Sequence, residues 1–484
     1  MDNQLYVANE LAAILSAPLA TMLSFRFKDN EAARLIIFGQ LAAFTFALAS
    51  VIWSWFTPGV DAVAPLLVLS ITFLSFIVSA FSDRYLAAET YRIDFLKLLA
   101  LLSTSSATLC LVDNIFLCFI CWHLLSIGLW LTLRLQPDGK KTANIVFSYH
   151  LASDLILFLS LASMVALTGE TEFSSLKSVP SSFIVLGLIV SFSIKSALYP
   201  FHGWLLATLN APTPLSGLLH AGIVNVSAIM FWRMMPIFND HANVLLFWGV
   251  WSAISAIVGT LSMKAQPDVK RKLVYSTVGQ MGFMSLQCAS GFVGSALFHL
   301  IAHGLFKCHL FLQSGSAVEE GKLKRKYLHV GDFESAASKN AKLISITLIL
   351  ALFSIAFQVG VEQNWVFLSA VVTGLAIWSG IPGWDRIKMS SILLFLFAVM
   401  LLALFSAWGN NKFEELSLLN HGANSILLPT FLALAAGLGM LLELGKQNRL
   451  AKAIYVHSLN GFYFNGHVLE VLAKRSKNLS TIKY

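Results

Sequence analysis

Charged residues are scarce in this sequence. Asp, Glu, Lys and Arg make up only 12% of its 484 residues, whereas 57% are hydrophobic and the mean hydropathy is +0.74. An average soluble domain carries about 25% charged residues. Half of that density cannot cover the surface of a soluble globule of this length. The composition therefore excludes a soluble protein and predicts an integral membrane domain.

Cysteine is also rare, and its five copies do not form the pattern of a disulfide framework. The number is odd, and every cysteine lies inside or at the edge of an apolar run. Cys118 and Cys121 form a CxxC within "IFLCFICWHLL". A redox CxxC is expected near a βαβ pattern, so we interpret this one as a packing feature of a spanning helix.

Nucleotide-binding and catalytic signatures are missing. The sequence has no Walker loop, no dinucleotide glycine pattern and no secreted catalytic triad. ATP-driven transport by this chain alone is therefore excluded. We expect no catalytic site, no metal and no cofactor in the chain itself.

Long apolar runs recur along the chain. A spanning helix needs about 20 mostly apolar residues, and fifteen runs qualify, two of them marginally. This predicts an all-α membrane protein of about 13–15 transmembrane helices. The first run has no basic segment before it and no small-residue cleavage site after it, so we expect a spanning helix there and not a signal peptide. The runs lie near residues 5–25, 35–56, 63–82, 96–112, 114–133, 144–168, 182–208, 213–235, 243–263, 273–290, 292–317, 342–359, 363–382, 389–408 and 425–445.

Basic residues follow the odd-numbered runs, whereas the loops on the other side are mainly acidic. The cytoplasmic loops of membrane proteins are enriched in Lys and Arg. We therefore expect a bacterial inner-membrane protein with its N-terminus outside and its basic C-terminal tail in the cytoplasm. The excess of 33 Lys and Arg over 25 Asp and Glu then reports topology, not nucleic-acid binding. The basic segments after odd runs are around residues 26–34, 84–92, 134–141, 264–272, 322–326, 386–388 and 446–452.

A few ionisable residues lie deep inside the runs. Such residues are costly in lipid, so they usually face the protein interior or a water path and mark ion pathways. We predict an ion pathway from these residues. They are His123, His150, Asp154, Lys195, His220, His299, His303 and Lys307.

Lys195 lies in a run that proline interrupts. Pro200 removes a backbone hydrogen bond five residues later, so the helix should break there, with His202 just beyond the break. Broken helices at mid-membrane form the ion and substrate sites of transporters. Lys195 is also too far from either end of its run to reach the membrane surface easily. We therefore predict that it lies on the ion pathway.

The remaining candidates are read from helical spacing. His299, His303 and Lys307 recur every four residues and share one helix face, which favours a polar lane that carries protons or water. His150 and Asp154 are spaced in the same way and could hold a proton, neutralise Lys195 or form a structural pair. His220 is either a proton relay, since histidine titrates near neutral pH, or a buried histidine bonded to a carbonyl.

Three blocks carry a family resemblance. The blocks "IKSALYPFHGWLLATLNAPTPLSGLLHAGIVN", "DVKRKLVYSTVGQMGFM" and "ALFHLIAHGLFKCHLFLQSGS" follow one another between residues 194 and 316. They resemble the signature of the antiporter-like subunits shared by respiratory complex I and the Mrp sodium/proton antiporters. "HGWL…APTP…HAG.VN" looks most like the DabB family, the membrane subunits of DAB inorganic-carbon accumulation systems.

The resemblance implies roles for individual residues. Lys195 matches the lysine of the broken helix, His220 the histidine after "PTP", Lys307 the lysine of "HxxxHxxFK", and Asp154 an acidic residue of the sixth span. Two departures stand out. His123, after Trp122, takes the place of the family's fifth-span glutamate, so the usual glutamate–lysine pair is absent and a charged His123 would repel Lys195. The runs 342–359 and 363–382 carry no deep lysine, although the family has one in the second inverted repeat.

The resemblance also implies a division of the chain and a partner. Residues 1–95 would be N-terminal helices, 96–320 the antiporter-like core and 321–484 the C-terminal helices and tail. The partner would be a large soluble DabA-like subunit on the cytoplasmic face, with a zinc site like that of a β-carbonic anhydrase. The pair would use a proton or sodium gradient to drive conversion of CO2 to bicarbonate. A respiratory or Mrp-type pump subunit and a scaffold with an inactive channel remain the alternatives.

Overall fold

The computed structural model describes residues 2–57, 63–176, 178–314 and 449–463. This part of the chain is helical, with one isolated bridge between Asn114 and Glu172 and no strand. The predicted all-α class is therefore confirmed. The runs predicted between 342 and 445, the loop 318–341 and the tail beyond 463 lie outside the described residues. The helices are α1 Asp2–Ser24, α2 Asp29–Phe56, α3 Val63–Tyr85, α4 Arg92–Leu111, α5 Ile115–Arg134, α6 Gly139–Thr168, α7 Ser182–Lys195, α8 Gly203–Ala207, α9 Thr213–Ala221, α10 Val226–Arg233, α11 Met235–Phe238, α12 Ala242–Ala265, α13 Val269–Ala289, α14 Val293–Gln313 and α15 Arg449–Leu459.

Within the described ranges, nine helical segments are long and apolar enough to cross a membrane. They correspond to nine of the predicted runs, with α9 and α10 together forming one of them, Thr213–Arg233. Two predicted runs differ in character. The run 182–208 is divided into the 14-residue α7 and the short α8, and α13 carries more polar residues but is mostly buried between its neighbours.

The junction between α4 and α5 is fixed by polar contacts. Asn114 caps α5 by accepting hydrogen bonds from the backbone N–H groups of Phe116 and Leu117, at 3.0 and 3.1 Å. Asp113 accepts from Ser174 N at 3.1 Å and lies 3.4 Å from Arg233 Nη2 at the end of α10. These bonds tie α5, α10 and the α6–α7 connection together at one end of the bundle.

Glycines allow α12 and α13 to approach closely. A Cβ at Gly282 would lie 2.5 Å from Ala256 N and 2.8 Å from Ser252 O, both on α12. Membrane helices associate through such small residues, because lipid provides no hydrophobic driving force between helices. The α12–α13 pair is therefore a close-packed unit.

We expect Gly282→Ala to destabilise the protein by about 1–3 kcal/mol, because the added methyl must push two backbones apart. Gly217→Ala is the matched control, since its Cβ would meet only ordinary contacts at 3.5 Å or more. The measurement is the thermal unfolding midpoint of the detergent-purified variants. Equal midpoints for the two variants would contradict the close approach.

The C-terminal helix α15 attaches to the same pair. Gln266, just after α12, donates from Nε2 to the carbonyl of Leu459 at 3.0 Å. Gly461 follows with a φ of +57°, a conformation that favours glycine, and lies directly against the hydroxyl of Tyr275 on α13. A side chain at 461 would collide with this hydroxyl. The segment 459–463 is thus seated on the loop that joins α12 and α13.

Candidate functional site

The seventh predicted run is broken, and the break begins at Lys195 itself. We predicted the break at Pro200, but α7 ends five residues earlier and α8 begins only at Gly203. Between them the chain turns through Ala197, with a φ of +54°, and a cis peptide joins Tyr199 to Pro200. Lys195 therefore occupies the C-terminal end of α7, where the helix dipole favours a cation.

A second break, which the sequence analysis did not predict, interrupts the next span. The helix α9 ends before Gly222, a short 3-10 turn covers Ile223–Asn225, and α10 begins at Val226. The two breaks are joined directly, because Ser196 Oγ donates to the carbonyl of Val224 at 2.8 Å. Ser227 Oγ likewise donates to the carbonyl of Phe192 at 2.8 Å. Each of the two interrupted helices thus donates a serine hydroxyl to a backbone carbonyl of the other.

The candidate residues fall into two groups, which lie on different helices. The first group is on α5, α6 and α7. The second group is on α9 and α14, with α13 beside them. The first group is His123, His150, Asp154 and Lys195, and the second is His220, His299, His303 and Lys307.

Lys195 is fully buried, and its ammonium group makes four contacts with three residues. Its Nζ donates to the carbonyl of Trp122 at 2.6 Å, to Ser126 Oγ at 2.9 Å and to Asp154 Oδ1 at 3.1 Å. It also lies 4.2 Å from the centroid of the Trp122 indole ring, a cation–π contact. The three donors of the ammonium group are therefore all used, which is what a charge inside a membrane requires.

Asp154 links Lys195 to His123. Its second oxygen, Oδ2, lies 2.8 Å from His123 Nδ1. The sequence analysis expected His123 to repel Lys195, but the carboxylate lies between the two and contacts both. Asp154 is 2% exposed, whereas the His123 side chain is 33% exposed. His123 is therefore the member of this group that connects the buried ion pair to the outer face of α5.

His150 does not pair with Asp154 as the spacing allowed. Its ring is fully buried and meets the Trp204 indole edge-on, with 4.5 Å between ring centroids. Neither ring nitrogen has a hydrogen-bond partner among the described residues. Trp204 in turn donates from Nε1 to the carbonyl of Ile194 at 2.9 Å. His150 thus packs beside the break without bonding to it.

In the second group, a chain of hydrogen bonds connects His220 to Lys307. His220 Nδ1 lies 3.0 Å from Thr277 Oγ1, and Thr277 donates to the carbonyl of Leu273 at 3.0 Å. Lys307 Nζ donates to the same carbonyl at 3.3 Å. The His220 ring also stacks on Phe311, with 4.2 Å between centroids. The hydrogen-bonded chain therefore passes through α13, which the sequence analysis had not included.

The other two histidines of α14 lie along the same buried face. His299 Nδ1 is 3.0 Å from Gln287 Oε1 on α13, and the His299 and His303 rings are 6.0 Å apart. Both nitrogens of His303 have no hydrogen-bond partner among the described residues. The spacing of His299, His303 and Lys307 thus places them on one interior face, facing α13.

His202 is the last residue of the break, directly before α8, and not beyond the break as predicted; it is fully buried. Its ring centroid lies 5.5 Å from that of Tyr199 and 5.9 Å from that of Tyr275. Tyr275 is the residue on which Gly461 is seated. Contacts between side-chain rings therefore connect His202 in the break to Tyr275, which lies against Gly461 in the segment 459–463.

Several partners of the predicted residues could not be found by searching for ionisable groups. Ser126, Thr277 and Gln287 are neutral, and the carbonyls of Trp122 and Leu273 belong to the backbone. The one signal available was helical spacing, because Ser126 lies four residues after Trp122 on the same helix. The Thr277 and Gln287 contacts depend on tertiary packing.

Known proteins share parts of this sequence. The model of the family "NADH:quinone oxidoreductase/Mrp antiporter, TM" matches residues 112–379. A curated relative, the probable inorganic carbon transporter subunit DabB1 of Halothiobacillus neapolitanus, is 33% identical over 343 residues, which cover 64% of this chain and 61% of that protein. The probable DabB subunit of Bacillus anthracis is 32% identical over 346 residues, covering 68% of this chain and 64% of the relative. The chain thus spans a little under two thirds of these relatives.

A quinone oxidoreductase subunit and a solved structure are also similar to this chain. The chloroplastic NAD(P)H-quinone oxidoreductase subunit 5 of Cichorium intybus is 31% identical over 296 residues, covering 55% of this chain and 40% of the relative. The Mrp complex from Dietzia sp. contains a chain with a TM-score of 0.58 and 22% identity, covering 94% of this chain and 52% of that one. At that identity the structure supports the fold alone. The resemblance carried by the three sequence blocks is confirmed, and the chain belongs to the NADH:quinone oxidoreductase/Mrp antiporter transmembrane family.

Proposed function

We propose that this chain is the proton-conducting membrane subunit of an inorganic-carbon uptake complex. The observation that carries the proposal is the buried Lys195–Asp154 ion pair at the end of a broken helix, with His123 on the second carboxylate oxygen. Ionisable residues are retained in membrane interiors where they serve transport. The carbon-uptake assignment rests on the two DabB relatives.

The chemistry of both groups favours protons over sodium. Their deep ionisable side chains are lysines and histidines, with Asp154 the single carboxylate of the two groups. Hard cations such as sodium need several oxygen ligands, whereas amines and imidazoles bind and release protons. In the proposed path, a proton enters from the outside and is relayed by His220, Lys195 and the His303–Lys307 face.

The proposed output is a change in a soluble partner. This partner would be a DabA-like subunit on the cytoplasmic face, holding zinc in a site like that of a β-carbonic anhydrase. Zinc in that partner would supply the activation of water that hydration of CO2 to bicarbonate needs. The zinc belongs to the partner, and the contribution of this chain is the proton passage. In the predicted orientation the cytoplasmic loops around 134–143, 264–272 and 318–341 are the candidates for docking, and the second of them contacts the end of α15 through Gln266.

The partner is tested by copurification. We expect an affinity-tagged chain to copurify with one large soluble protein that contains zinc in stoichiometric amount. We also expect the pair to restore growth in ordinary air to cells that lack carbonic anhydrase, whereas neither protein alone does so. Restoration of growth by the partner alone would contradict a coupling role for this chain.

The second candidate function is a subunit of a respiratory or Mrp-type pump. The observation that favours it is the 31% identity to the chloroplastic quinone oxidoreductase subunit. The same copurification separates the two functions. Several small membrane subunits or a quinone-reducing assembly would support the pump and exclude the carbon-uptake complex.

A further inference from the structure

We infer that Trp251 and Ser255 of α12 are positioning residues, which hold the broken helix in the geometry that brings Lys195 to Asp154. This inference deepens the proposed function and rests on it for the transport readout. Neither residue was among the sequence candidates, because neither is ionisable. Both act on the backbone of Tyr199, four residues after Lys195.

The freed backbone groups of the break have identifiable partners. Leu198 N donates to the carbonyl of Ser193 at 2.9 Å, and Phe201 N donates to the carbonyl of Leu198 at 2.6 Å. Pro200 has no N–H. Tyr199 is different, because its backbone groups are bonded to side chains of another helix. Its N–H donates to Ser255 Oγ at 2.9 Å, and its carbonyl accepts from Trp251 Nε1 at 2.5 Å.

These two bonds determine where the backbone of Tyr199 lies relative to α12. A backbone group without a partner inside a membrane costs several kcal/mol, so the chain must place Tyr199 where α12 can reach it. Ser255 is fully buried. Its hydroxyl accepts from the Tyr199 N–H, and Trp251 lies one turn earlier on the same face of α12. The helix α12 therefore fixes the middle of the break.

The position of the Lys195 ammonium group depends on how α12 holds the break. Its ammonium group makes three directional hydrogen bonds, to Trp122, Ser126 and Asp154. The groups that face it are Asp154, the His123 bonded to that carboxylate, the buried His150 and the Cys118 thiol. A shift of the break would change the distance from Lys195 to all of them at once. A misplacement of about 1 Å can cost a rate factor of about 10².

The chain offers a matched control on the same helix. Ser252 is also fully buried on α12, but its hydroxyl has no hydrogen-bond partner among the described residues. Ser252→Ala removes a hydroxyl of the same kind from the same environment without touching Tyr199. Ser255→Ala removes the acceptor of the Tyr199 N–H, and Trp251→Phe removes the donor to its carbonyl.

The first test is hydrogen–deuterium exchange of the full chain in nanodiscs. We expect Ser255→Ala to accelerate exchange in the peptide that contains residues 196–204 by about tenfold, because the amide of Tyr199 loses its acceptor. Peptides from α5 and α6 should be unchanged, and Ser252→Ala should match the parent protein. Equal exchange in Ser255→Ala and Ser252→Ala would overturn the inference.

The second test is proton uptake by proteoliposomes that contain the chain and its partner, followed with a pH-sensitive dye. We expect Ser255→Ala and Trp251→Phe to lower the rate by about 10-fold or more and to displace its pH profile, while Ser255→Thr, which keeps the acceptor, restores both. A purely structural role would lower the amount of assembled complex without moving the pH profile, and that result would overturn the inference. If the parent complex takes up no protons, the proposed function fails, whereas the exchange experiment still decides whether α12 holds the break.

Discussion

Replacing Lys195 with alanine is expected to abolish growth in ordinary air of cells that lack carbonic anhydrase and depend on this chain and its partner. The variant removes the ammonium group that pairs with Asp154, together with its three hydrogen bonds to Trp122, Ser126 and Asp154. Removal of a group on which a transport step depends lowers the rate by orders of magnitude, not by a few fold. The measurement is growth in air compared with growth under elevated CO2, where uptake is not needed.

The control for this prediction is Lys28→Ala, which removes an exposed lysine directly before α2, away from the loops proposed for docking. Growth in air should be unaffected by that change. If Lys195→Ala cells grow normally in air, the coupling role of the broken helix is wrong. Unchanged growth after replacement of both His123 and Lys195 would favour a scaffold whose channel is inactive.

Removing the carboxylate of Asp154 is expected to destabilise the protein more than removing the whole ion pair. Asp154→Leu leaves the fully buried Lys195 without its counter-ion, and breaking one partner of a buried pair costs about 3–5 kcal/mol. The double variant Asp154→Leu/Lys195→Met replaces the pair with apolar side chains and should recover most of that loss. The measurement is the unfolding midpoint of the purified variants.

The surface ion pair Asp83–Arg92 is the control for the stability measurements on Asp154 and Lys195. Its atoms are also 3.1 Å apart, but both side chains are partly exposed. Asp83→Asn should change the free energy of unfolding by about 1 kcal/mol or less.

The double variant Asp154→Leu/Lys195→Met should remain inactive although it is stable. If it conducts protons, the ion pair is a structural element and not part of the pathway.

The spans and the polar candidates were predictable because membrane physics makes them conspicuous. A run of apolar residues predicts a helix by itself, and Asp154 or Lys195 is unusual wherever it lies in lipid. The pairing of Asp154 with Lys195 across helices was among the predicted possibilities. The break was also predictable from Pro200, although its position at Lys195 was not.

The role of His123 could not be read from the sequence. The analysis compared His123 with Lys195 as two like charges, and the repulsion followed from that comparison. In the structure one carboxylate oxygen of Asp154 contacts His123 and the other contacts Lys195. This arrangement depends on the rotation of α6 against α5. The second break at Gly222 was missed for a related reason. No proline marks it, and the hydrogen bond from Ser196 to Val224 exists only after two spans have packed together.

The substitution of an imidazole for a carboxylate has a consequence for charge balance. The Asp154 carboxylate and the Lys195 ammonium group form an ion pair whose charges sum to zero, and an imidazole adds no negative charge to that pair. The glutamate expected from the family at the position of His123 would give a sum of minus one, which one arriving cation would neutralise. Here an arriving proton leaves the site with an excess positive charge in a low-dielectric interior, where a second excess charge would be far more costly. In the proposed path this site would therefore hold one extra proton at a time, without a resting negative charge that could attract a metal cation.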